Sequence, residues 1–355
     1  MSKEERVLCA LSREEPDRVP LYDLVDNVRV LEHYAGRQLT LANAREVIPA
    51  ALQHCLDTTR VWMPHEPGTR TDARGFTHER VDWFNEWQVS APFHDTAGAL
   101  AFVASDIERA EAWRPTGSQD RLSDLLEWKA RFGDVVIPAS TAGEALQDAY
   151  ITLGLDRFVF LQSEAPDLVA RWIAALHGET LRRLETESAH RAISPVAWIF
   201  ADVGFKSRLI FSPRYLADHG VFRRIGEICD IYHGYGMKVI FHSDGFIWPI
   251  IPQLIAAGVD ALAPIETPAG MQLGDLKAAF GRQVAFVGGV DVGVLERGTT
   301  DEVRALVKQA IAAAGPGGGF ILGSSSEELF EALPPENIIA MFEAAREYGR
   351  YPIQI

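Results

Sequence analysis

The stretch MKVIFHSDG (237–245) joins a buried strand to the polar residues that follow it. Residues 239–241 form a short apolar run of β-prone side chains, which is typical of a strand buried on both faces. His242 and Asp244 come next, so an imidazole and a carboxylate leave the carboxyl end of this strand together. In α/β proteins that end of the sheet usually carries the chemistry. The alternative is that both residues only cap the strand and the next helix.

Strand and helix patterns alternate along the rest of the chain. The eight predicted strands lie at 18–25, 59–63, 135–139, 195–200, 238–242, 259–264, 283–288 and 320–322. Such alternation favours parallel βαβ units. Eight units in 355 residues predict one domain, residues 1–355, folded as a (β/α)8 barrel, the TIM barrel. An open doubly wound sheet is the alternative.

Two further elements are predicted outside this alternation. Residues 2–13 read as an amphipathic helix that extends the barrel at its N-terminus. Residues 76–89 alternate and are rich in aromatic side chains, which predicts a hairpin inserted near the mouth of the barrel. Apolar spacing also predicts long helices over 167–190 and 214–235.

Composition and motifs exclude several classes of function. The net charge of -15 argues against a nucleic-acid partner. The sequence has no apolar run of about 18 residues, so no membrane span is expected. Neither a dinucleotide fingerprint nor a phosphate-binding loop is present. Cys9, Cys55 and Cys229 are widely spaced, which predicts buried thiols in a reducing, cytoplasmic compartment.

Acidic, imidazole or hydroxyl side chains follow nearly every predicted strand. They are Asp23 and Asp26, His65 and Glu66, Asp202, His242 and Asp244, Glu266, Asp291, and the run 324–328. Carboxylates and imidazoles that converge on one mouth suit a divalent metal or acid–base catalysis. Each residue taken alone also suits a helix cap or turn, and Asp291 does so in particular. Aromatic residues could flank the acids or belong to the core; they are Trp62, Trp83, Phe84, Trp87 and Trp248.

Several motifs together resemble the uroporphyrinogen decarboxylase superfamily, which includes cobalamin-dependent methyltransferases. These motifs are EPDRVP (15–20), GMKVIFHSDG (236–245), GVDAL (258–262), GGVD (288–291), GGFILG (318–323), PENI (335–338) and EYG (347–349). The resemblance covers nearly the whole chain and implies the superfamily's (β/α)8 barrel. It does not specify one reaction.

Departures from the superfamily pattern narrow the choice of reaction. The Arg-rich N-terminal motif of true uroporphyrinogen decarboxylases is absent, and the acidic mouth would repel a substrate with many carboxylates. Zinc methyltransferases of the superfamily carry His-x-Cys on the fifth strand and a later Cys. Here His242 matches, Asp244 replaces the first Cys, and the second Cys position falls near 325–327. The resemblance then implies an oxygen-rich site, with zinc as one candidate metal and His242, Asp244 and Glu266 as ligands.

Two functions follow from this comparison. The first is a methyltransferase that moves a methyl group from a small methylated substrate, such as an aryl methyl ether, to a corrinoid on a partner protein. The second is a metal-independent decarboxylase or lyase of a small acid, with Asp202 or His242 as the proton donor. The expected catalytic residues are His242, Asp244, Asp202 and Glu266. The expected substrate-binding residues are Asp26, His65, Trp87, Trp248, Asp291 and Ser325. A homodimer is compatible with either function.

Overall fold

The computed structural model describes residues 1–115 and 118–355, which form a mixed α/β fold around a parallel sheet. The strands are β1 (Leu24–Val25), β2 (Gly68–Thr71), β3 (Thr77–Arg80), β4 (Glu86–Ser90), β5 (Ser140–Gly143), β6 (Val196–Phe200), β7 (Gly204–Phe205), β8 (Arg208–Leu209), β9 (Lys238–His242), β10 (Ala261–Ile265), β11 (Ala285–Val290), β12 (Phe320–Ser324) and β13 (Glu328–Leu329). The parallel sheet has the spatial order β12-β11-β10-β9-β6-β5. Its strands are almost fully buried, as expected when helices cover a sheet.

Helices lie between most of these strands. They are α1 (Lys3–Leu11), α2 (Val28–Ala35), α3 (Ala44–Cys55), α4 (Thr96–Ala112), α5 (Ser118–Phe132), α6 (Ala145–Leu153), α7 (Leu155–Glu164), α8 (Pro166–Leu184), α9 (Pro213–Asp218), α10 (Val221–Gly234), α11 (Ile251–Ala256), α12 (Leu273–Phe280), α13 (Val292–Arg297), α14 (Thr300–Ala314) and α15 (Pro335–Tyr348). Within the described ranges, no helix is both long and apolar enough to cross a membrane.

Two short extended segments close the sheet into a ring. Leu21 pairs in parallel with Leu322 of β12, Tyr22 pairs with Thr58, and Thr58 pairs with Val136 just before β5. The Tyr22 N–H also donates to the Leu322 carbonyl at 2.9 Å. The ring therefore has eight strand positions, and the predicted (β/α)8 fold is confirmed.

The barrel interior is packed with side chains from alternate positions of its strands. This inner cluster includes Trp198 of β6, Ile240 of β9 and Val287 of β11, all fully buried. Val7 and Leu11 of α1 belong to the same cluster, so the predicted N-terminal helix packs against the inner core. A larger cluster lies between the sheet and the surrounding helices.

Several predicted boundaries are wrong. The third strand lies at 140–143 rather than 135–139, and the first two make only the short pairings described above. The helix predicted over 214–235 is two helices, because Gly220 adopts a left-handed conformation (φ 71°) between α9 and α10. The helix predicted over 167–190 ends at Leu184.

The predicted hairpin over 76–89 is part of a larger unit. Strands β2, β3 and β4 form a three-stranded antiparallel sheet over residues 68–90. Its β3–β4 turn lies near the barrel mouth, because the Trp83 carbonyl accepts the His65 N–H at 2.9 Å. Asp82 of the same turn is close enough to raise the pKa of Asp26, which follows β1.

Candidate active site

Three side chains from two neighbouring strands converge at the mouth of the barrel. Asp202 follows β6, His242 ends β9, and Asp244 lies two residues beyond it. One potential ligand atom from each lies within 4.8 Å of the others. The two loops meet because β6 and β9 pair in parallel, with Phe200 opposite His242. The sequence therefore correctly predicted that these polar residues share one edge of the sheet.

Glycine allows the two loops to approach closely. A Cβ atom on Gly204 would overlap the carbonyl of Asp244, and one on Gly245 would overlap the backbone of Phe205. Gly245 also has φ 78°, which L side chains rarely adopt. The Asp244 N–H then donates to Asp202 Oδ1 at 3.1 Å. Close backbone packing at the two glycines thus fixes the spacing of the two aspartates.

His242 lies between two carboxylates. Its Nε2 is 3.2 Å from Asp202 Oδ1, and its Nδ1 is 2.7 Å from Glu327 Oε2. Burial alone would lower the pKa of His242, but Glu327 and then Asp202 raise the pKa to about 10. The ring is therefore an imidazolium at neutral pH, with one N–H directed at each carboxylate.

Glu327 is held from the other side by Arg60. Its carboxylate is 1% exposed and lies 3.2 Å from Arg60 Nη2, while Arg60 Nε donates to the Tyr22 hydroxyl at 3.0 Å. Glu327 also has φ 56°, a left-handed conformation that is uncommon for a residue other than glycine. Such outliers concentrate at functional sites, where the surrounding structure holds them in place.

The two aspartates differ in protonation. Burial raises the pKa of Asp202, but the hydrogen bond from His242, the His242 charge, the Asp244 N–H and Arg60 together outweigh burial, so the pKa falls below its ordinary value. The pKa of Asp244 is raised to about 6, by burial first and then by the charges of Asp202, Glu327 and Glu266. Asp202 is therefore ionised near neutral pH, whereas Asp244 gains and loses its proton close to neutral pH.

Helix α6 holds the backbone of Asp202. The Asp202 N–H donates to the Gln147 side chain, and its carbonyl accepts from the Tyr150 hydroxyl. Glu266, a predicted ligand, instead accepts the Gly245 N–H at 2.6 Å. Its role as a metal ligand stays a prediction, because Asp202 is the third member of the cluster that the structure brings together.

The donor set of this cluster fits a divalent cation. Because Glu327 holds Nδ1 of His242, Nε2 is the nitrogen that faces Asp202, and a carboxylate commonly orients a metal-binding histidine in this way. Asp202 and Asp244 would supply hard oxygen ligands. Oxygen ligands bind zinc less tightly than thiolates do. A proton and a metal ion would compete for Nε2.

An apolar cavity of about 400 Å³ lies beside the cluster. Its walls include Trp62, Met63, Trp128 and Phe132. Phe200 also lines it and contacts the His242 ring, with centroids 5.0 Å apart. Arg60 reaches the same wall and stacks over Phe200 at 4.9 Å. Phe200 and Arg60 therefore belong to the cavity wall and also contact the charged cluster, through His242 and Glu327.

Two buried acids lie at the end of the first strand position. Asp23 accepts hydrogen bonds from the N–H and hydroxyl of Ser324, yet burial raises its pKa to about 8. Asp26 is 1% exposed, and neither of its carboxylate oxygens has a hydrogen-bond donor among the described residues. Burial and the neighbouring Glu328 raise its pKa to about 8. Both acids are therefore mainly protonated at neutral pH.

The remaining predicted substrate-binding residues are spread around the mouth. His65 and Trp87 are exposed, and Trp87 belongs to β4 of the antiparallel sheet. Trp248 packs edge-on against Phe280. Asp291 caps α13 through the Gly293 N–H at 2.8 Å, which is the alternative that its sequence context left open.

Ser325 is buried at the carboxyl end of β12, where its hydroxyl accepts the Val292 N–H at 3.1 Å. That contact and the Asp291 cap both fix the start of α13. Substrate binding by Asp26, His65, Trp87, Trp248, Asp291 and Ser325 stays a prediction.

Arg60 and Glu327 are the main residues that sequence reasoning missed. Glu327 lies within the run 324–328 that was noted after the last strand, and within the stretch 325–327 to which the resemblance assigns the second Cys position. Arg60 follows the second strand position, at the same edge as the acids. A search for cations as well as acids at the strand ends would have found it.

Comparison with known proteins supports the superfamily resemblance. The sequence model of the family described as "Uroporphyrinogen decarboxylase (URO-D)" matches residues 214–348. This region contains β9 to β12 and so includes His242, Asp244 and Glu327. No curated protein sequence matches the chain.

A solved structure of a methyltransferase from Methanosarcina mazei has the same fold, with a TM-score of 0.69. The match covers 98% of this chain and 99% of that chain at 18% sequence identity. At this identity the likeness establishes the fold alone. Together with the family match, it confirms that the chain resembles the uroporphyrinogen decarboxylase superfamily.

Proposed function

We propose that the chain is a methyltransferase that removes a methyl group from an aryl methyl ether and passes it to a corrinoid on a partner protein. The observation that carries this proposal is the His242 imidazolium, held between Asp202 and Glu327 beside an aromatic cavity. Cleavage of a methyl–oxygen bond leaves a phenolate, which needs a proton or a positive charge. His242 is placed to supply either one.

The pKa of His242 suits a phenolic leaving group. A phenol has an ordinary pKa of about 10, and the pKa of His242 is raised to about 10. Proton transfer between groups of matched pKa is efficient in either direction. As the methyl–oxygen bond breaks, its electron pair stays on the aryl oxygen and the Nε2 proton moves to that oxygen. His242 then becomes neutral and regains a proton from water.

The cavity supports an aromatic substrate. Its volume of about 400 Å³ lies in the range of small-molecule sites, and Trp62 and Trp128 offer ring faces and edges for stacking. The exposed Trp62 (45%) borders the open side of the mouth, where a partner protein would have access.

The nucleophile must come from outside the chain. Burial raises the pKa of all three cysteine thiols, to about 12 for Cys55 and Cys229, and none of the three belongs to the cluster. A reduced corrinoid supplies a strongly nucleophilic cobalt when the partner protein delivers it. A zinc ion held by Asp202, His242 and Asp244 would take the place of the Nε2 proton and would supply Lewis-acid help to the same leaving oxygen instead.

Arg60 supports a second candidate, the decarboxylase of a small aromatic acid. It lines the aromatic cavity and is, beside His242, a second cation in contact with Glu327. A guanidinium at that wall would bind a substrate carboxylate, and His242 would protonate the carbanion left by loss of carbon dioxide. This chemistry needs neither a metal nor a corrinoid.

One experiment separates the two functions. The purified protein is incubated with methoxylated aromatics, such as 2-methoxyphenol, and a cobalt(I) corrinoid, and methylcobalt absorbance and free phenol are recorded. Wild type and the exposed-site control His94→Gln should form both products, whereas His242→Gln should form neither. Release of carbon dioxide from aromatic acids without any methylcobalt would replace the methyltransferase with the decarboxylase.

A further inference from the structure

A second cavity of about 590 Å³ lies among the outer helices, away from the acidic cluster. One wall is a stripe of α8 that includes Ala170, Ala174 and Gly178, small residues four positions apart. The facing wall is the segment 218–224, where α9 ends and α10 begins. The small side chains on α8 leave the space that this cavity occupies.

Two buried side chains of this cavity have nitrogens without partners among the described residues. Arg224 is 4% exposed; its Nε donates to Glu144 at 2.6 Å and its Nη1 to the His219 carbonyl at 2.7 Å, but Nη2 has no acceptor. His177 is 6% exposed, and its Nδ1 is likewise unpartnered. Unsatisfied buried polar groups are rare and call for an explanation.

The start of α10 borders the same cavity, since Gly220, Arg223 and Arg224 line it. Its N-cap is Gly220, so no side chain caps the helix. The N–H groups of an uncapped first turn attract anions, and the helix dipole adds to this attraction. Arg223 and Arg224 follow directly in that turn, and both line the cavity. A guanidinium and a helix N-terminus together favour the oxygens of a phosphate.

His177 adds a requirement for a proton on the ligand. Its Nε2 lies 2.6 Å from Glu227, which accepts the ring N–H. Burial lowers the pKa of His177, so the ring is neutral near pH 7 and Nδ1 carries a lone pair. The ligand must therefore offer an O–H to His177 as well as anionic oxygens to Arg224. A singly protonated phosphate has both, whereas sulfate at neutral pH has no proton to donate.

We propose that this cavity binds the phosphate group of a small phosphate monoester. The anionic oxygens accept hydrogen bonds from Arg224 Nη2 and the first turn of α10, and the phosphate hydroxyl donates to His177 Nδ1. The cavity is larger than a free phosphate ion needs, which leaves room for the ester group. Three acids face this region, and each has a partner. Glu144 pairs with Arg224, and Asp218 pairs with Arg214. Glu227 pairs with both His177 and Arg223.

Isothermal titration calorimetry at pH 7 tests the site with glycerol phosphate, inorganic phosphate and sulfate as probes. We expect saturable one-site binding of glycerol phosphate, at least as tight as that of inorganic phosphate and at least fivefold tighter than that of sulfate. Ala174→Phe, at an exposed position of α8, fills the cavity and should weaken binding at least tenfold. His177→Gln should weaken it about tenfold, because the amide can still donate to Glu227 but Nδ1 is lost.

Arg171→Ala serves as the matched control, since Arg171 lies on α8, is exposed, pairs with Glu111, and neither residue lines the cavity. It should change affinity less than twofold, and circular dichroism checks that every variant is folded. Three results would overturn the proposal: no saturable binding of glycerol phosphate to wild type, equal affinity for sulfate, or an equal loss of affinity in Arg171→Ala and Ala174→Phe.

Discussion

Two buried histidines in this protein have opposite electrostatic environments. His242, at the barrel mouth, has a pKa raised to about 10, whereas the pKa of His177, between the outer helices, is lowered. Burial disfavours the charged form of both rings. His242 overcomes that cost because two carboxylates face its two nitrogens, and one of them, Glu327, is itself buried. His242 is therefore charged because of its two carboxylate partners, and not because it is exposed to water.

Among the described residues, His177 has one carboxylate partner, and that partner is shared. Glu227 is partly exposed and also pairs with Arg223, while the charges of Arg224 and Arg223 further lower the pKa of His177. The comparison shows that a histidine–carboxylate contact does not by itself predict an imidazolium. The number of carboxylates and the position of nearby cations decide the outcome.

The largest expected effect follows from exchanging each histidine for glutamine. His242→Gln removes the group that would protonate the leaving oxygen, and general acids contribute about 10²- to 10⁴-fold to rate. We therefore expect kcat for methylcobalt formation to fall by about that factor. His177→Gln should change kcat less than twofold, because His177 lies outside the cluster. Equal losses in the two variants would contradict the assignment of His242 as the acid.

A second, smaller effect should follow from neutralising one partner of His242. In Glu327→Gln the strongest source of the raised pKa is gone, so the pKa of His242 should fall toward its ordinary value. We expect kcat at pH 8 to fall about tenfold or more, with a smaller loss at pH 6, where the ring is still protonated. NMR titration of the ring carbons measures the pKa directly. A pKa that stays near 10 in the variant would show that Asp202 alone holds the proton.

The same linkage predicts how stability depends on pH. The folded-state pKa of His242 is above the unfolded value of about 6.5, so its stabilising contribution is complete below pH 6.5 and is lost as pH rises through about 10. In Glu327→Gln the contribution should be smaller and should disappear at lower pH. Urea unfolding of both proteins between pH 6 and 10 measures the difference.

The sequence predicted the barrel and part of the cluster for clear physical reasons. The strand at 238–242 has the bounds that its apolar run indicated, since polar residues mark its end. Parallel strands place their carboxyl ends at one edge, which brought Asp202 and His242 together as expected. The second strand was predicted at 59–63, but the segment pairs at Thr58, and Val61, Trp62 and Met63 leave the sheet to line the aromatic cavity.

Local sequence patterns could not predict the contacts of His242. Glu327 is 85 positions from His242, and its left-handed backbone depends on tertiary contacts rather than on propensity. Arg60 reaches Glu327 across 267 positions. Glu266 was predicted as the third ligand because it follows the neighbouring strand, but its carboxylate turns to the Gly245 N–H. Strand ends predict which residues meet, but not which atoms pair.

A third expected effect concerns Asp244 and distinguishes its role from that of His242. Its pKa is raised to about 6, so it loses its charge as pH falls through that value. If the carboxylate helps to hold a metal or orient the ether, Asp244→Asn should lower kcat about tenfold while KM changes less than twofold. Wild-type kcat should also decline below about pH 6, and that step should be missing in the variant. A variant with an unchanged pH profile would remove Asp244 from the reaction.

The smallest expected effect concerns stability and tests whether a buried acid without donors is costly. Asp26 has a folded-state pKa of about 8, above its ordinary value of 3.8, so its ionisation is suppressed in the folded protein. Its stabilising contribution is complete below pH 3.8 and is lost as pH rises through about 8. Asp26→Asn removes this dependence, and the amide can donate to Glu328. We expect the variant to gain stability between pH 5 and 8, by roughly 1–3 kcal/mol at pH 8, the range of an unsatisfied buried polar group. Urea midpoints over this pH range measure the gain, with the exposed Asp230→Asn as control. If Asp26→Asn gains no more stability than Asp230→Asn, the burial of Asp26 must be compensated by contacts other than those with Glu328 and Asp82.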